Sequence, residues 1–237
     1  MTIIGYENYK NMTIRFDDSG YIRDGSYDRF KEGSLKSPYC KSVCHQGYLG
    51  EGSYKPKVDG NLTKQYVAWK SMLRRCYSDK YQKTRPTYIG CLVIEEWHNF
   101  QTFAKWYDEN YYEVESDSKR GMNLDKDILN KGNKIYCPEY CVYAPDRINL
   151  LFIKVDAVRG SLPVGVNKEK YGKRYSAYCS KDGKREEIGL YNTPEEAFNA
   201  YKTFKESYIK QVAEDYKNII PTRLYEALYR YEISITD

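Results

Sequence analysis

The sequence predicts an α+β protein in which strands and helices occupy separate stretches of the chain. Three observations support this prediction. Residues 12–16 alternate between apolar and polar, helical periodicity begins at Leu62, and the last third has the pattern of three short strands followed by a helix. The predicted organisation is a small N-terminal β-rich module at 1–60, a central unit at 61–158 and a C-terminal sheet-and-helix unit at 159–237.

Composition excludes several classes of protein. Of 237 residues, 41% are hydrophobic and 30% are charged, a balance typical of a globular fold and not of a disordered or low-complexity chain. No apolar run approaches the roughly 20 residues that cross a bilayer, and the first residues lack the pattern of a signal peptide. Seven cysteines, an odd number, favour reduced thiols over a disulfide framework. We therefore expect a cytoplasmic protein with no membrane partner.

The central segment predicts two amphipathic helices and then a strand, a turn, an extended segment and a third helix. The second helix spans 93–107, and the polar residues 113–120 predict an exposed loop. Pro145 opens the third helix. The apolar face of the first helix comprises Tyr66, Trp69, Met72, Leu73 and Cys76. The strand, the turn and the extended segment are residues 122–129, 130–133 and 136–144.

The C-terminal segment gives the clearest pattern. Residues 181–183 form a Lys-Asp-Gly hairpin signal between two predicted strands. Thr193, Pro194 and Glu196 supply a capping hydroxyl, a proline at the first helical position and a capping-box carboxylate. A second helix is expected at 224–231. The three predicted strands are residues 164–167, 174–179 and 185–190.

Charge is distributed unevenly over this last third. Residues 159–185 hold eight basic and two acidic side chains, whereas residues 186–237 hold six basic and ten acidic ones. The basic part coincides with the strands, as expected for a sheet that lies in the major groove of DNA. A solvated basic face without a ligand is the alternative. Strand alternation directs Tyr175, Ala177 and Cys179 to one face and Arg174, Ser176, Tyr178 and Ser180 to the other.

The C-terminal segment resembles an AP2 domain, a three-stranded sheet with one packed helix that contacts DNA through the sheet. The resemblance rests on Gly165-Val166, Tyr175-x-Ala177, Ile188-Gly189, Thr193-Pro-Glu-Glu-Ala197 and Ala200-Tyr201. It implies double-stranded DNA as the partner, with lysine and arginine contacting phosphates and some base edges. The implied DNA-facing residues are Asn167, Lys168, Lys170, Arg174, Ser176, Tyr178, Lys181 and Arg185. On the central segment, Lys70 and Arg74 are added as candidates because they lie off the apolar face of the first helix.

The central segment resembles phage-encoded HNH endonucleases that end in an AP2 domain. The resemblance rests on Trp69-x-x-Met72-Leu-x-Arg75-Cys-Tyr77, Glu96-Trp-x-x-Phe100, Leu124-Asp-x-Asp127, Gly132-Asn133, Tyr136-x-Pro-Glu139, Cys141 and Asn149. It implies a strand–strand–helix (ββα) unit that holds one divalent cation at the scissile phosphate. The fold class implied by both resemblances is therefore α+β with a central HNH-like unit and a C-terminal AP2-like unit.

The implied catalytic residues are Asp125, Lys126, Asp127 and Asn149, with Asp127 and Asn149 as ligands of Mg²⁺. The chain departs from the family pattern because His45 and His98 are its only histidines and neither lies in this segment. Lys126 stands where the general base is expected, and Tyr136 is another candidate hydroxyl. The alternative is a polar turn in which the carboxylates pair with Lys126 or Lys131.

Two further alternatives stay open at this point. Cys40, Cys44, His45, Cys137 and Cys141 could together supply zinc ligands, but their spacing favours ordinary thiols, so a zinc site is not expected. The expected function is a homing-type phage DNA endonuclease acting in the bacterial host. The alternative is a catalytically silent DNA-binding protein that acts as a regulator or inhibits a host defence nuclease. A protein-binding module without a nucleic-acid partner is a third hypothesis.

Overall fold

The structure combines helices with several small, mostly antiparallel sheets, and the predicted α+β class is confirmed. The computed structural model describes residues 1–115, 121–153 and 162–236. Part of the predicted loop at 113–120 and the predicted boundary between residues 158 and 159 lie outside the described residues.

Strands and helices are numbered here in chain order. The strands are β1 Thr2–Asn8, β2 Asn11–Arg15, β3 Ile22–Gly25, β4 Lys57–Val58, β5 Asn61–Leu62, β6 Leu92–Val93, β7 Met122–Asp125, β8 Ile135–Tyr136, β9 Val142–Pro145, β10 Val166–Lys168, β11 Tyr175–Lys181 and β12 Lys184–Tyr191. The α-helices are α1 Tyr27–Lys31, α2 Lys64–Tyr77, α3 Asp79–Thr84, α4 Phe100–Asn110, α5 Asp146–Leu150, α6 Pro194–Tyr216 and α7 Thr222–Tyr229. Short 3-10 helices span Pro86–Tyr88 and Glu95–His98.

The chain divides into two compact units. Unit 1 comprises Met1–Asn110 and Lys134–Cys137, and unit 2 comprises Tyr111–Asn133 and Pro138–Asp237. The three-segment organisation expected from the sequence is a different division, and it stays a prediction. No helix among the described residues is long and apolar enough to cross a membrane.

Unit 1 begins with the antiparallel sheet β1–β2–β3. Its apolar side chains Met12, Ile14, Phe16 and Leu35 form a small core of their own. The alternation at 12–16 therefore has the expected effect, since one face of β2 is buried and the other faces solvent.

Helix α2 forms where the sequence predicts it. Thr63 caps its first turn by accepting a hydrogen bond from the backbone N–H of Tyr66. Trp69 is buried, and its indole N–H donates to the carbonyl oxygen of Trp97 at 2.7 Å. The buried residues of the helix are Trp69, Met72, Leu73 and Cys76, as the periodicity indicated.

The second predicted helix, 93–107, is wrong at its start. Helix α4 begins at Phe100, because Asn99 is extended and its side-chain oxygen accepts a hydrogen bond from the backbone N–H of Gln101 at 2.9 Å. The extended segment predicted at 136–144 is also interrupted. Tyr136 pairs in parallel with Val93, and a turn then separates β8 from β9.

In unit 2, β7 pairs antiparallel with β9, and α5 packs against both strands. The register places Asp125 opposite Val142 and Met122 opposite Pro145. A turn lies between the two strands, where Asn133 donates a backbone hydrogen bond to the carbonyl of Asn130 at 3.0 Å. The predicted strand, turn, strand and helix are thus present, with a longer connection than expected.

The C-terminal sheet has the order β10–β11–β12, and α6 packs along it. Asp182 and Gly183 form the hairpin turn with φ of 48° and 77°, the left-handed values that a two-residue turn of this kind needs. Thr193 and Glu196 form the predicted capping box at the start of α6. The sheet, the helix and the following α7 agree with the sequence prediction.

One hydrophobic core joins the two parts of unit 2. Ile128, Val142 and Ile148 from the β7–β9–α5 region belong to the same buried cluster as residues of the C-terminal sheet and of α6 and α7. Gly165, at φ 76°, lies against the ring of Tyr201, where a Cβ atom would come within 2.1 Å of the ring. The glycine is thus required both by its backbone conformation and by the close approach of α6.

Candidate functional site

The C-terminal sheet has one covered and one open face. Val166, Ala177 and Cys179 are buried on the side where α6 packs. On the other side, which we call the open face, Asn167 pairs with Ser176 on the neighbouring strand. The residues whose side chains belong to this face by register are Asn167, Ser176, Tyr178, Ser180, Arg185, Glu187 and Leu190.

A stacked pair lies on the open face. The guanidinium of Arg185 lies 4.0 Å from the ring centre of Tyr178, a cation–π contact between adjacent strands. Stacking of this kind leaves the N–H edge of the guanidinium available, and that edge matches two acceptors in one plane. The pair therefore presents a fixed hydrogen-bond donor on the face that α6 leaves uncovered.

Exposed cations lie near both ends of the strands, and by register two of them, Lys168 opposite Tyr175 and Lys184 opposite Lys181, belong to the covered side. Lys184 lies at the β11–β12 turn, and the connection between β10 and β11 holds most of the others. None of these cations forms an ion pair with a described residue. The flanking cations are Lys168, Lys170, Lys173, Arg174 and Lys184.

Three residues predicted to face DNA are not available on the open face. Lys168 is exposed but lies opposite Tyr175, so its side chain belongs to the covered side by register. Ser176 is 0% exposed, and its hydroxyl donates to the carbonyl oxygen of Asn167 at 3.4 Å, so its polar group is satisfied inside the sheet. Lys181 shares the strand parity of Ala177 and Cys179, and its ammonium lies 5.6 Å from the ring centre of Tyr208 on α6. Lys181 therefore leans toward the covered side of the sheet.

Lys70 and Arg74, the two candidates on α2, belong to unit 1. Both are exposed, and the guanidinium of Arg74 lies 4.9 Å from the ring centre of Tyr81. Both side chains therefore lie off the buried face of α2, as the periodicity of this helix indicated. Contact with DNA stays a prediction.

The β7–β9–α5 region holds the predicted catalytic residues. Asp125 ends β7, and its Oδ1 accepts hydrogen bonds from the backbone N–H groups of Asp127 and Ile128, each at 2.8 Å. Burial, together with repulsion from the Asp127 carboxylate, raises the pKa of Asp125 to about 6. The carboxyl group is therefore held in a turn and titrates close to neutral pH.

Lys126 forms a local ion pair. The residue is 7% exposed, and its ammonium lies 3.2 Å from the carboxylate of Asp127, whose side chain is 47% exposed. The Lys126 carbonyl oxygen accepts from the side-chain amide of Asn133 at 2.7 Å. The pairing of Lys126 with Asp127 is that of the polar turn given above as the alternative.

Asn149 lies on α5 and is half-buried. Earlier in the same helix, Asp146 is buried and accepts a hydrogen bond from the side-chain amide of Asn123 on β7 at 3.2 Å. Carboxylate and amide oxygens are hard ligands that suit Mg²⁺, so the chemistry of Asp127 and Asn149 fits that cation. Asp127 is at present paired with Lys126.

A network that the sequence did not reveal joins α5 to the C-terminal sheet. Arg147 donates to Asp182 at 3.0 Å and to Asp215 at 2.9 Å. The hydroxyl of Tyr208 also donates to Asp182, at 2.8 Å, and this bond and the Arg147 guanidinium hold the pKa of Asp182 below its ordinary value. The only local signal was the charge of Arg147 inside a short helix, because its partners lie far away along the chain.

The remaining candidates have ordinary structural surroundings. The ring of His98 is in hydrogen-bond contact with the hydroxyl of Tyr77 at 3.2 Å, and burial lowers the pKa of His98. Tyr136 is buried and its hydroxyl accepts from Arg75 at 3.5 Å. Within residues 1–115, 121–153 and 162–236, no three His, Cys, Asp or Glu side chains group together as a metal site would require.

Comparison with known proteins adds no further assignment. No protein-family model, no curated protein and no solved structure matches the chain.

Proposed function

We propose that the protein binds double-stranded DNA and that the open face of the C-terminal sheet lies in the major groove. The observation that supports this proposal most directly is the Tyr178–Arg185 stack on the open face of a sheet whose strand ends carry exposed, unpaired cations. A planar guanidinium held on such a face matches the two acceptors on a guanine edge. The resemblance to an AP2 domain points to the same surface.

The dimensions of the sheet suit a duplex. Three strands spaced about 4.8 Å apart are roughly 10 Å wide, and a major groove is about 12 Å wide. Strand β11 has seven residues, and its length of roughly 20 Å exceeds the width of the groove. The cations at the strand ends, such as Arg174 and Lys184, would then meet the phosphate backbones on either side.

Binding to a pool of random duplexes, followed by sequencing of the bound fraction, tests this proposal. Arg185→Ala is expected to weaken binding to the selected sequence by about 10- to 100-fold and to relax its specificity, because a bidentate base contact is lost. The double variant Lys170→Gln/Arg174→Gln is expected to weaken binding to all sequences equally. Its salt dependence, the slope of log K against log salt, is expected to fall by about 2.

Lys10→Gln/Lys31→Gln is the matched control, since it also removes two exposed charges but lies far along the chain from the sheet. If Arg185→Ala binds the selected sequence with the affinity and specificity of the native protein, the open face does not recognise the base sequence. If the native protein shows binding to a protein partner without any salt dependence, the third hypothesis, a protein-binding module, replaces this one.

Cleavage of the bound DNA with Mg²⁺ is a second candidate function. The specific observation in its favour is a carboxylate pair, Asp125 and Asp127, at the end of a strand that packs with β9 and α5, with the pKa of Asp125 raised to about 6. Asp127 and Asn149 would hold the cation, and a bound cation would neutralise charge on a phosphate. Asp125 would keep the turn in place through its two backbone hydrogen bonds.

Incubation of duplex DNA with the protein in Mg²⁺, Mn²⁺ or EDTA separates the two candidates. Metal-dependent products that disappear with Asp127→Ala would identify an endonuclease. Retarded DNA without products under every metal would support a DNA-binding protein that does not cut, such as a regulator or an inhibitor of a host defence nuclease.

A further inference from the structure

A second group of exposed cations lies on unit 1 and includes none of the residues named in the proposed function. The stretch from Arg74 to Tyr88 contains five basic residues and one acidic residue, Asp79. Lys80, Lys83 and Arg85 are exposed and form no ion pair with a described residue. We call the exposed side chains of Arg74, Lys80, Lys83 and Arg85 the α3 surface.

Tyrosine rings hold the arginines of this region in place. Arg74 lies over the ring of Tyr81 at 4.9 Å, and that ring lies 5.9 Å from the ring of Tyr88. Arg75 lies over Tyr88 at 5.6 Å, but it is half-buried and donates to the hydroxyl of Tyr136, so it is not part of the exposed surface. Because stacking restrains the Arg74 guanidinium without occupying its N–H groups, it prepares that group for an anion.

Local folding concentrates these charges in a small area. Ser78 caps α3 by accepting a hydrogen bond from the backbone N–H of Tyr81, so α3 follows α2 after a sharp turn. Lys134, at the start of β8, donates to the carbonyl oxygen of Thr87 at 3.0 Å and adds another exposed ammonium beside the 3-10 helix. The cations of this region therefore come from two separate pieces of the chain, residues 74–85 and Lys134.

We infer that the α3 surface is a second contact with the phosphate backbone of duplex DNA, independent of the C-terminal sheet. Positive charges without internal partners release counterions from DNA when they approach phosphates, and this release drives binding without reading the sequence. The inference rests on the proposed function for the identity of the partner. It adds that unit 1 as well as unit 2 contacts the phosphate backbone of the duplex.

The test is a measurement of DNA affinity as a function of salt with the full chain. The triple variant Lys80→Gln/Lys83→Gln/Arg85→Gln is expected to lower the slope of log K against log salt by about 2 to 3, at about 0.9 per phosphate contact. It should also shorten the hydroxyl-radical footprint while the ratio of specific to non-specific affinity stays unchanged. The matched control is Arg29→Gln/Lys31→Gln/Lys36→Gln, which removes three exposed charges elsewhere in unit 1.

The outcomes separate this inference from the proposed function. A lower slope in the triple variant and an unchanged slope in the control support the α3 surface. Equal slopes in the triple variant and the control would overturn it. It would also be overturned if the native protein bound vesicles of acidic lipid as tightly as duplex DNA and the triple variant weakened both equally. If the triple variant alone abolishes binding while Arg185→Ala has no effect, the α3 surface stands and the proposed role of the sheet fails. A native protein that binds no duplex overturns both.

Discussion

The two candidate regions of unit 2 treat their charged groups in opposite ways. In the turn after β7, Asp125 accepts from two backbone amides, and Lys126 pairs with Asp127. At the strand ends of the C-terminal sheet, the flanking cations have no acidic partner among the described residues, and on the open face Arg185 is restrained by the ring of Tyr178. The charged groups of the first region are already paired within the protein, whereas the second region has hydrogen-bond donors available for a ligand.

This difference explains why the sheet carries the functional proposal. A hydrogen-bonding group that is already paired must lose its partner before it binds anything else, and the exchange gains little. Exposed, unpaired cations bring only their hydration and counterions, which binding to DNA releases. Four variants sharpen the contrast, starting with the largest expected effect.

Gly165→Ala should lower the free energy of unfolding by about 3 kcal/mol, because the new Cβ atom would sit on a left-handed backbone and clash with the ring of Tyr201. Gly172→Ala is the matched control, because its φ is also positive, at 107°, but nothing lies within 4 Å of its Cβ position. The control should cost about 1 kcal/mol. Urea unfolding of both variants measures the difference, and equal losses would contradict the packing argument.

Asp125→Asn should stabilise the protein at pH 8 by about 2 kcal/mol and have no effect near pH 4. The folded pKa of about 6 lies above the ordinary value of about 3.9, so native stability falls as pH rises between these values. Asparagine keeps an oxygen for the two backbone amides and cannot ionise. Calorimetric melting at both pH values measures the effect. A variant that is less stable than the native protein at pH 8 would show that the ionised carboxylate stabilises the turn.

Arg147→Met should cost about 1 kcal/mol, because it removes contacts to Asp182 and Asp215, two half-exposed carboxylates on different elements. Arg230→Met serves as the control, since its ion pair with Glu226 lies one helical turn away on an exposed surface. That control should change the free energy of unfolding by less than about 0.5 kcal/mol. Similar values for both would mean that the network does not stabilise unit 2.

Lys126→Met should have the smallest effect, within about 0.5 kcal/mol of the native free energy of unfolding. The apolar methionine suits a buried position, and water can solvate the half-exposed carboxylate of Asp127 once the ammonium is gone. Thermal melting at pH 7 measures the change. A loss of several kcal/mol would mean that the ion pair is essential to the turn.

Local patterns in the sequence predicted the C-terminal unit well. The capping box of Thr193 and Glu196 and the turn at Asp182-Gly183 depend on residues that are close in the chain, so their chemistry can be read directly. The same is true of the buried stripe of α2. For the candidate site, Tyr178 and Arg185 were predicted on one face, and the register of β11 and β12 places them there.

Features that depend on distant contacts were not predictable. Tyr136 pairs with Val93, and Arg147 contacts Asp182. The partners are far apart in the chain, so the local pattern of residues does not predict either contact. Ser176 lies on the open face by register and is nevertheless buried, since a small side chain in a central strand is covered by its larger neighbours. The position of Lys181 could have been read from strand parity alone, because it shares the parity of buried Cys179.

The common core of unit 2 has a consequence for the order in which the chain folds during synthesis. Arg223 on α7 donates hydrogen bonds to the carbonyl oxygens of Pro138 and Cys141, and Leu224 and Leu228 are buried in the same cluster as Ile148. A nascent chain that has not yet reached α7 therefore exposes apolar side chains of β9 and α5 to solvent. Unit 2 can complete its core only after residues 222–229 have left the ribosome. Most of unit 1, in contrast, can fold once the chain up to Asn110 has been released.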